Sequence, residues 1–452
     1  MLRSFFSRRD LFSGGTLLAY LQSVPSRLWA AGPLRIGPDI YQSIGVRPIV
    51  NCKGTFTIIS GSQSLPEVKL AMEAASRHYV HLDELMDAVG KRLAELTQAE
   101  WGMVSNGCAA ALAHATAACI AGSDPEKLQR LPDIRGLKHE IISPAYSRNV
   151  YDHAIRGVGG KFVDVRTIEE YRKAFTERTA MVMVLAGPGD AGPLGVQALA
   201  PIAKEHGVPL LVDAAAERLK VPNVHLSRGA DLVAYSGGKC LRGPQSAGLL
   251  LGRKDLIKAA WIHSAPHHAF GRPMKAGKEE IMGMLAAVEM WMKRDHDAEW
   301  KEWESWLDTI SKSVTRVKGV TTQVRQPDSL SNNAPRLVVQ WDGEALGIAG
   351  QEAEKILLEG NPRVILGGAS GSARMGMKQS SLTIMPYMMM PGDAKIAAER
   401  IHAVLSKPPS IERKATAAPA ANAAGRMVLA EKTPTSGALP FVRVTGRANA
   451  PV

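Results

Sequence analysis

Two apolar runs, each ending in a charged residue, constrain this chain more than any other feature. Leu210-Leu211-Val212 leads straight into Asp213 after a turn at Gly207 and Pro209, which reads as a short buried strand ending in a carboxylate. Asp231 to Tyr235 reads as a second strand and opens into Ser236-Gly237-Gly238-Lys239, a glycine loop that presents a lysine. An acid at one strand's end and an amine just past the next can face a single flat cofactor from two sides. Pyridoxal phosphate requires this pair: an amine to form a Schiff base, and an anion to keep the ring nitrogen protonated. Spacing alone leaves a second account equally open, in which Asp213 caps a turn and Lys239 is a solvated loop residue.

The surrounding segments decide between these accounts. They include Val50-Asn51-Cys52-Lys53-Gly54-Thr55, Val104-Ser105-Asn106-Gly107-Cys108-Ala109-Ala110-Ala111-Leu112, Ser236 to Gln245, and Gly271-Arg272-Pro273-Met274-Lys275-Ala276-Gly277-Lys278-Glu279-Glu280. In that order, over roughly residues 40 to 406, the chain resembles the fold-type I pyridoxal-phosphate enzymes. Within them it resembles the branch of bacterial selenocysteine synthase and the ammonia-lyases that act on sugar-acid amines. The resemblance implies an α/β large domain of aminotransferase type, with a mainly parallel sheet flanked by helices, and a smaller α+β carboxyl-terminal domain. It also implies a homodimer or higher homo-oligomer, because such sites borrow residues across an interface.

The pattern of elements agrees with that expectation. From His139 onward, strands at 140–143, 160–165, 180–185 and 209–213 alternate with helices at 148–157, 167–176 and 196–206, as a doubly wound sheet requires. Such sheets bind ligands at the carboxyl ends of their strands, where Asp213 falls. Two helices, 65–79 and 81–97, precede a strand at 101–104, and Ser105-Asn106-Gly107 then turns into an alanine-rich helix from Cys108 to Ala121. The free amides and positive end of that helix suit a phosphate, although a plain helix cap would use the same residues. In the family this turn holds the cofactor phosphate, so Ser105, Asn106, Gly107 and Cys108 are cofactor-binding candidates together with Ser236. The ring-stacking residue is expected among Tyr146, Ser147 and Arg148. Tyr146 is the choice here, in place of the histidine the resemblance leads one to expect near Ser147.

Arg272 and Lys275, bracketed by glycines and followed by Lys278, are candidates for the anionic part of a substrate or for the cofactor phosphate of a partner subunit. Arg363 and Arg374 could pair with a substrate carboxylate, and a surface role for either is as open. His263, His267 and His268 lack a helical i, i+4 pair with a partnering acid and are split by Pro266, so no metal site is expected. The spacings of Cys52, Cys108, Cys119 and Cys240 resemble no zinc site either, and their redox state stays open. Helices from Glu279 to Val317, broken near Arg294-Asp295, carry Trp291, Trp300, Trp303 and Trp306 for packing between the domains. Beyond them, strands are expected at 320–325, 336–341, 363–366 and 381–385, and helices at 347–358 and 393–405. Gly367 to Ser372 is expected to be a mobile hairpin loop. The large domain is placed at 40–290, the linking helix at 291–318 and the small domain at 319–406.

Charge argues against a nucleic-acid partner. The net +12 is concentrated at the ends: residues 1–35 carry +4 and residues 407–452 carry +5, which leaves +3 for the middle. Ser7-Arg8-Arg9-Asp10-Leu11-Phe12 precedes an apolar run from Gly14 to Val24 and small residues at Ala30-Ala31-Gly32. This is the layout of a twin-arginine signal peptide over 1–31, which directs the protein to the periplasm or cell exterior; an unused signal would leave it cytoplasmic. The run is too short and glycine-rich for a stable membrane span. Residues 407–452, rich in Ala, Pro, Thr and Lys, read as a disordered tail, with a brief strand at 442–444.

The expected chemistry follows. Lys239 forms the Schiff base and is displaced by a small-molecule amine, Asp213 keeps the pyridinium charged, and the freed lysine takes the α-proton. The resemblance points onward to β-elimination or replacement on a small amino acid or amino-sugar acid, the work of a lyase or transferase. Residue types alone equally allow transamination or decarboxylation. Selenium transfer to seryl-tRNA ranks lower, because little chain precedes Tyr41 to bind tRNA. A catalytically inactive binding or scaffold protein is the non-enzymatic alternative, against which Asp213 and Lys239 both argue.

Overall fold

The computed structural model describes residues 33–372 and 376–408. The expected signal peptide, Arg374 and nearly all of the expected tail, including its brief strand, lie outside the described residues. Strand β1 (Val50–Cys52) is followed by β2 (Trp101–Ser105), β3 (Glu140–Pro144), β4 (Lys161–Val165), β5 (Thr179–Leu185), β6 (Leu210–Asp213), β7 (Leu232–Ser236) and β8 (Gly248–Gly252). β2 to β8 form one seven-stranded sheet in the order β2-β8-β7-β6-β5-β3-β4. Neighbours from β7 through β6, β5 and β3 to β4 run parallel, and β8 is antiparallel to both β7 and β2.

Parallel strands covered by helices are buried on both faces and so read as continuous apolar runs instead of alternating ones. β6 is buried along its whole length, and the helix Gly107–Ala121 packs against the sheet with twelve of its residues buried. Truncating Leu211 to alanine in such a core costs about 2–5 kcal/mol and loosens the strand that carries Asp213. The helices Lys278–Lys293 and His296–Val314 meet at Arg294-Asp295, where Asp295 caps the second by accepting from the Ala298 amide at 2.9 Å. Trp291 is buried against the first core, Trp303 packs against Tyr387 and Met388, and Trp306 packs against the second core, so three of the four tryptophans are divided among separate clusters.

Beyond these helices come β9 (Thr321–Arg325), β10 (Arg336–Trp341), β11 (Val364–Leu366), β12 (Gly368–Ser372) and β13 (Gly376–Ile384). An antiparallel sheet of order β12-β13-β10-β9 forms the smaller α+β unit with the helices Gly350–Glu359 and Asp393–Ser406. β11 pairs instead with β1, in parallel register from Val50 to Cys52, so this entry strand packs in the carboxyl-terminal core and not in the large one.

Three expectations change. Gly367–Ser372 is no loop: Gly368–Ser372 is a strand paired antiparallel with β13, and a register shift between Ser370 and Ser372 accommodates small residues of poor strand propensity. The helix expected from Arg148 begins at Asp152. Asn149 Oδ1 accepts from the Tyr151 amide at 2.7 Å and Arg148 Nε donates to Asp152 at 2.7 Å, so side chains take the place of the first helical turn. The helix expected from Gly347 starts at Gly350, because a short helix capped by Asp342 ends at Gly347 in the left-handed conformation. No helix among the described residues is long and apolar enough to cross a membrane.

Candidate active site

Asp213 ends β6 at the carboxyl edge of the sheet and is 3% exposed. Its Oδ1 accepts from the Ala215 amide at 3.1 Å and lies 3.7 Å from the Cys108 thiol, which donates to it. Burial pushes the Asp213 carboxyl up from its ordinary value, while the Ala215 hydrogen bond, the charge of Lys239 and the Cys108 hydrogen bond pull it back down. A desolvated carboxylate of this kind is costly unless a cation faces it. Burial likewise pushes the Cys108 thiol well up, Asp213 adds to that, and Lys239 opposes it. Cys108, Asp213 and the half-buried Lys239 therefore share one electrostatic neighbourhood.

Lys239 is held by close backbone packing. The Ser62 amide donates to Gly238 O at 2.9 Å, and a Cβ on Gly238 would lie 2.6 Å from Gln245 Cα. Ser236 ends β7 just before this loop, its amide donating to Ala215 O at 3.3 Å. The helix Gly107–Ala121 opens without a side-chain cap: the Ser105 hydroxyl, fully buried, donates to Gly107 O at 2.9 Å, and Asn106 Nδ2 donates instead to Lys275 O at 2.9 Å. That bond docks the loop of Arg272 and Lys275, both exposed, beside the helix start. A cap-free helix amino terminus, a buried acid that needs a cation and a lysine within their field fit pyridoxal phosphate in its phosphate, ring nitrogen and aldehyde respectively.

Other candidates are placed less centrally. Tyr146 donates to Leu194 O at 3.0 Å and covers Gly189, where a Cβ would lie 2.5 Å from its ring. Its hydroxyl is pushed up to about 12, by burial first and then by Asp190. Tyr151 is the tyrosine that responds to Asp213: its hydroxyl is raised by burial first, then by the charges of Asp213 and Cys108. The sequence reading missed Tyr151 because it placed that residue inside a helix. Arg363 donates to Leu358 O at 2.9 Å and Arg47 O at 3.3 Å, on the segment that enters β11. His263 and His267 use ring nitrogens on the carbonyls of Gly122 and Trp261, at 2.9 and 3.0 Å.

Two further charged clusters flank the turn after Asp213. On one side Glu217, His225 and Asp190 are all buried: His225 Nε2 lies 2.7 Å from Glu217 Oε2 and its Nδ1 3.5 Å from Asp190 Oδ2. Asp190 also accepts from Arg228 at 3.1 Å and from the Val196 amide at 2.7 Å. On the other side is a narrow cleft, with a cavity volume of about 20 Å³ that opens to solvent, lined by Arg218, Cys240, Trp291, Trp303, Asn333 and Tyr387 among others. At its wall Arg294 holds Glu299 through two hydrogen bonds, of 2.7 and 3.0 Å. The sequence analysis missed these clusters; the signal that could have found them is the acid and base that break the alanine run at Glu217-Arg218.

The model of the aminotransferase class-V family matches residues 161–331. A 5'-C-glycyluridine monooxygenase-decarboxylase of Streptomyces sp is 32% identical over 339 residues, 72% of this chain and 83% of that one. The chain belongs to the fold-type I pyridoxal-phosphate enzymes, in the branch of selenocysteine synthase and D-glucosaminate-6-phosphate ammonia-lyase. The D-glucosaminate-6-phosphate ammonia lyase of Salmonella typhimurium is 27% identical over 379 residues, 81% of this chain and 98% of that one. A solved structure of D-glucosaminate-6-phosphate ammonia-lyase superposes with a TM-score of 0.72 at 26% identity, covering 82% of this chain and 99% of its own. Membership carries the cofactor, pyridoxal phosphate, and the standing of an enzyme.

Proposed function

We propose that this enzyme removes the α-proton of a small amino acid or amino-sugar acid and then eliminates or replaces a group at the β-carbon, with Lys239 as its covalent anchor and proton carrier. The observation that carries this reading is the shared field of Cys108, Asp213 and Lys239 at the carboxyl edge of the sheet. When bound, pyridoxal phosphate supplies a cationic ring that takes up negative charge from the carbon beside the substrate nitrogen. Asp213 keeps the proton on the ring nitrogen, and its Oδ1 is fixed for this by Ala215 and Cys108. The amides at the start of the Gly107–Ala121 helix bind the phosphate, and Ser105 shapes their turn. Lys239 takes the α-proton and delivers one to the leaving group.

The purified protein's visible spectrum, followed by borohydride reduction and peptide mapping, tests the anchor. The label is expected on Lys239, and a label on any other lysine removes the assignment. Lys239→Ala is expected to lower turnover by about 10²–10⁴-fold, read as ammonia release or α-proton exchange across a panel of small amines. We also assign the protein as a homodimer, supported by the exposed Ile58, Leu70, Tyr79 and Val80 and by the exposed cations of the Arg272–Lys275 loop. A monomeric mass in solution would refute this. Export rests on Arg8-Arg9, and its test is loss of the extracytoplasmic fraction when both are changed to lysine.

A further inference from the structure

We infer that the cleft beside Lys239 is a carboxylate subsite on the substrate side, and that Arg218 is the residue that reads the carboxylate. The inference rests on the proposed function and names the acidic group its substrate must carry. The cleft adjoins the reacting lysine through the chain itself: Cys240, which follows Lys239, lines it, and Cys240 Sγ donates to Glu217 O at 3.0 Å. Arg218 follows Glu217 in the turn after Asp213. That turn is held against residues 330–332, since the Arg218 amide donates to Leu330 O at 3.0 Å and the Asn332 amide to Ala216 O at 2.9 Å. Asn333 and Tyr387, from beyond the linking helices, close the opposite wall, and Tyr387 is fixed by bonds of 2.8 Å to Thr55 Oγ1 and 3.0 Å to Asn332 Oδ1.

Within this cleft the cations are treated unequally. Arg294 is neutralised by Glu299, which also lies 3.2 Å from His296 Nδ1. Arg218 makes no ion pair among the described residues; its guanidinium has one long hydrogen bond, 3.4 Å to Asn333 Oδ1, and stands 5.7 Å from the Trp291 ring. A half-buried guanidinium with unused planar donors between aromatic walls suits a planar oxyanion bound through two parallel hydrogen bonds. The cleft's narrowness favours a carboxylate over a sugar phosphate.

Two reagents that differ by this group test the inference on the reconstituted holoenzyme. Aminooxyacetate carries a carboxylate and O-methylhydroxylamine does not. In each case the reagent's nitrogen forms a C=N bond with the cofactor's aldehyde carbon, the bond from that carbon to Lys239 breaks, and the reagent's two amine protons pass to the lysine nitrogen. The absorbance change gives both rates. The ratio of the aminooxyacetate rate to the O-methylhydroxylamine rate is expected to fall about tenfold or more in Arg218→Gln, the size of a lost charge-assisted pair, and to recover in part in Arg218→Lys. A ratio within twofold of the unsubstituted enzyme in both variants overturns the inference. If the variants do not fold, acetate added to the unsubstituted enzyme decides. Saturable slowing of aminooxyacetate alone supports the subsite, and equal or no effect on the two reagents overturns it. If neither reagent changes the spectrum, the cofactor reading fails and the inference falls with it; if both react with unaltered selectivity, only Arg218 is refuted.

Discussion

The two charged clusters on either side of the Asp213 turn are built on opposite rules. Glu217, His225 and Asp190 lie in the dry interior, and each charge there meets an opposite one or a backbone amide. Across the turn, in the cleft, Arg294 is matched by Glu299 while Arg218 makes no ion pair among the described residues and has one long hydrogen bond. Carboxylates already engaged in a closed set of partners cannot take on a ligand without giving up a bond, so they serve the shape of the turn, although His225 Nδ1 itself makes no hydrogen bond among the described residues. An open one is available to a ligand at little cost to the fold. Residue type does not distinguish the two, since both contain a histidine, at least one carboxylate and arginine; the bookkeeping of partners does.

Breaking the closed cluster should have the largest effect. His225→Leu removes the one hydrogen-bond partner that the buried Glu217 carboxylate has among the described residues, and one of the neighbours of Asp190. Stranding a buried charge in this way costs about 3–5 kcal/mol, read as a lower denaturant midpoint. Adding Glu217→Gln should recover part of that loss, because the stranded charge is then gone. If His225→Leu unfolds no earlier than the unsubstituted protein, the closed cluster does not hold the turn.

The Arg294–Glu299 pair should come next, and its signature is a pH dependence. Burial alone would raise the Glu299 carboxyl, but hydrogen bonds from His296 and Arg294 outweigh it and hold the group at about 2, below its ordinary 4.5. A depressed carboxyl stabilises the fold fully above its unfolded value, and that contribution is lost as pH falls through the folded one. Glu299→Gln should therefore be less stable near neutral pH by about 1.5–3 kcal/mol, the range for hydrogen bonds to charged groups. The gap should begin to close below about 4.5. A gap independent of pH would mean that the pair contributes through packing and not through charge.

Much of this was legible in the sequence, for physical reasons that vary with the element. The parallel strands could be read because burial on both faces forces continuous apolar runs, and β6 and the loop after β7 bring Asp213 and Lys239 into one field, one of the two accounts their spacing left open. The turn at Ser105-Asn106-Gly107 could be read because a glycine precedes an alanine-rich run, but that the helix opens without a side-chain cap could not be read. Tyr151 and the His225 cluster could not. Tyr151 reaches its place only because Arg148 and Asn149 use side-chain bonds to delay the helix. His225 meets Asp190 across a separation in sequence that no periodicity encodes. β12 was missed because its glycine, alanine and serine residues have little strand propensity of their own, and pairing with β13 is a tertiary fact.

The smallest stability effect is the most discriminating. Replacing an arginine that is half buried in a positive cleft usually loses packing and hydrogen bonds, yet Arg218 has little of either to lose: one 3.4 Å bond to Asn333 and a distant Trp291 ring. No ion pair among the described residues is lost with it, because the neighbouring Arg294 is already matched by Glu299. Arg218→Gln should therefore unfold within about 0.5 kcal/mol of the unsubstituted protein, as substitutions away from special features do. The same substitution should sharply reduce selectivity for a carboxylate reagent. A residue whose removal leaves the fold unmoved but changes what the site accepts is held in place for its ligand. A loss above about 2 kcal/mol, the scale of a broken buried network, would instead place Arg218 with Glu217, His225 and Asp190, and the distinction between the two clusters would no longer stand.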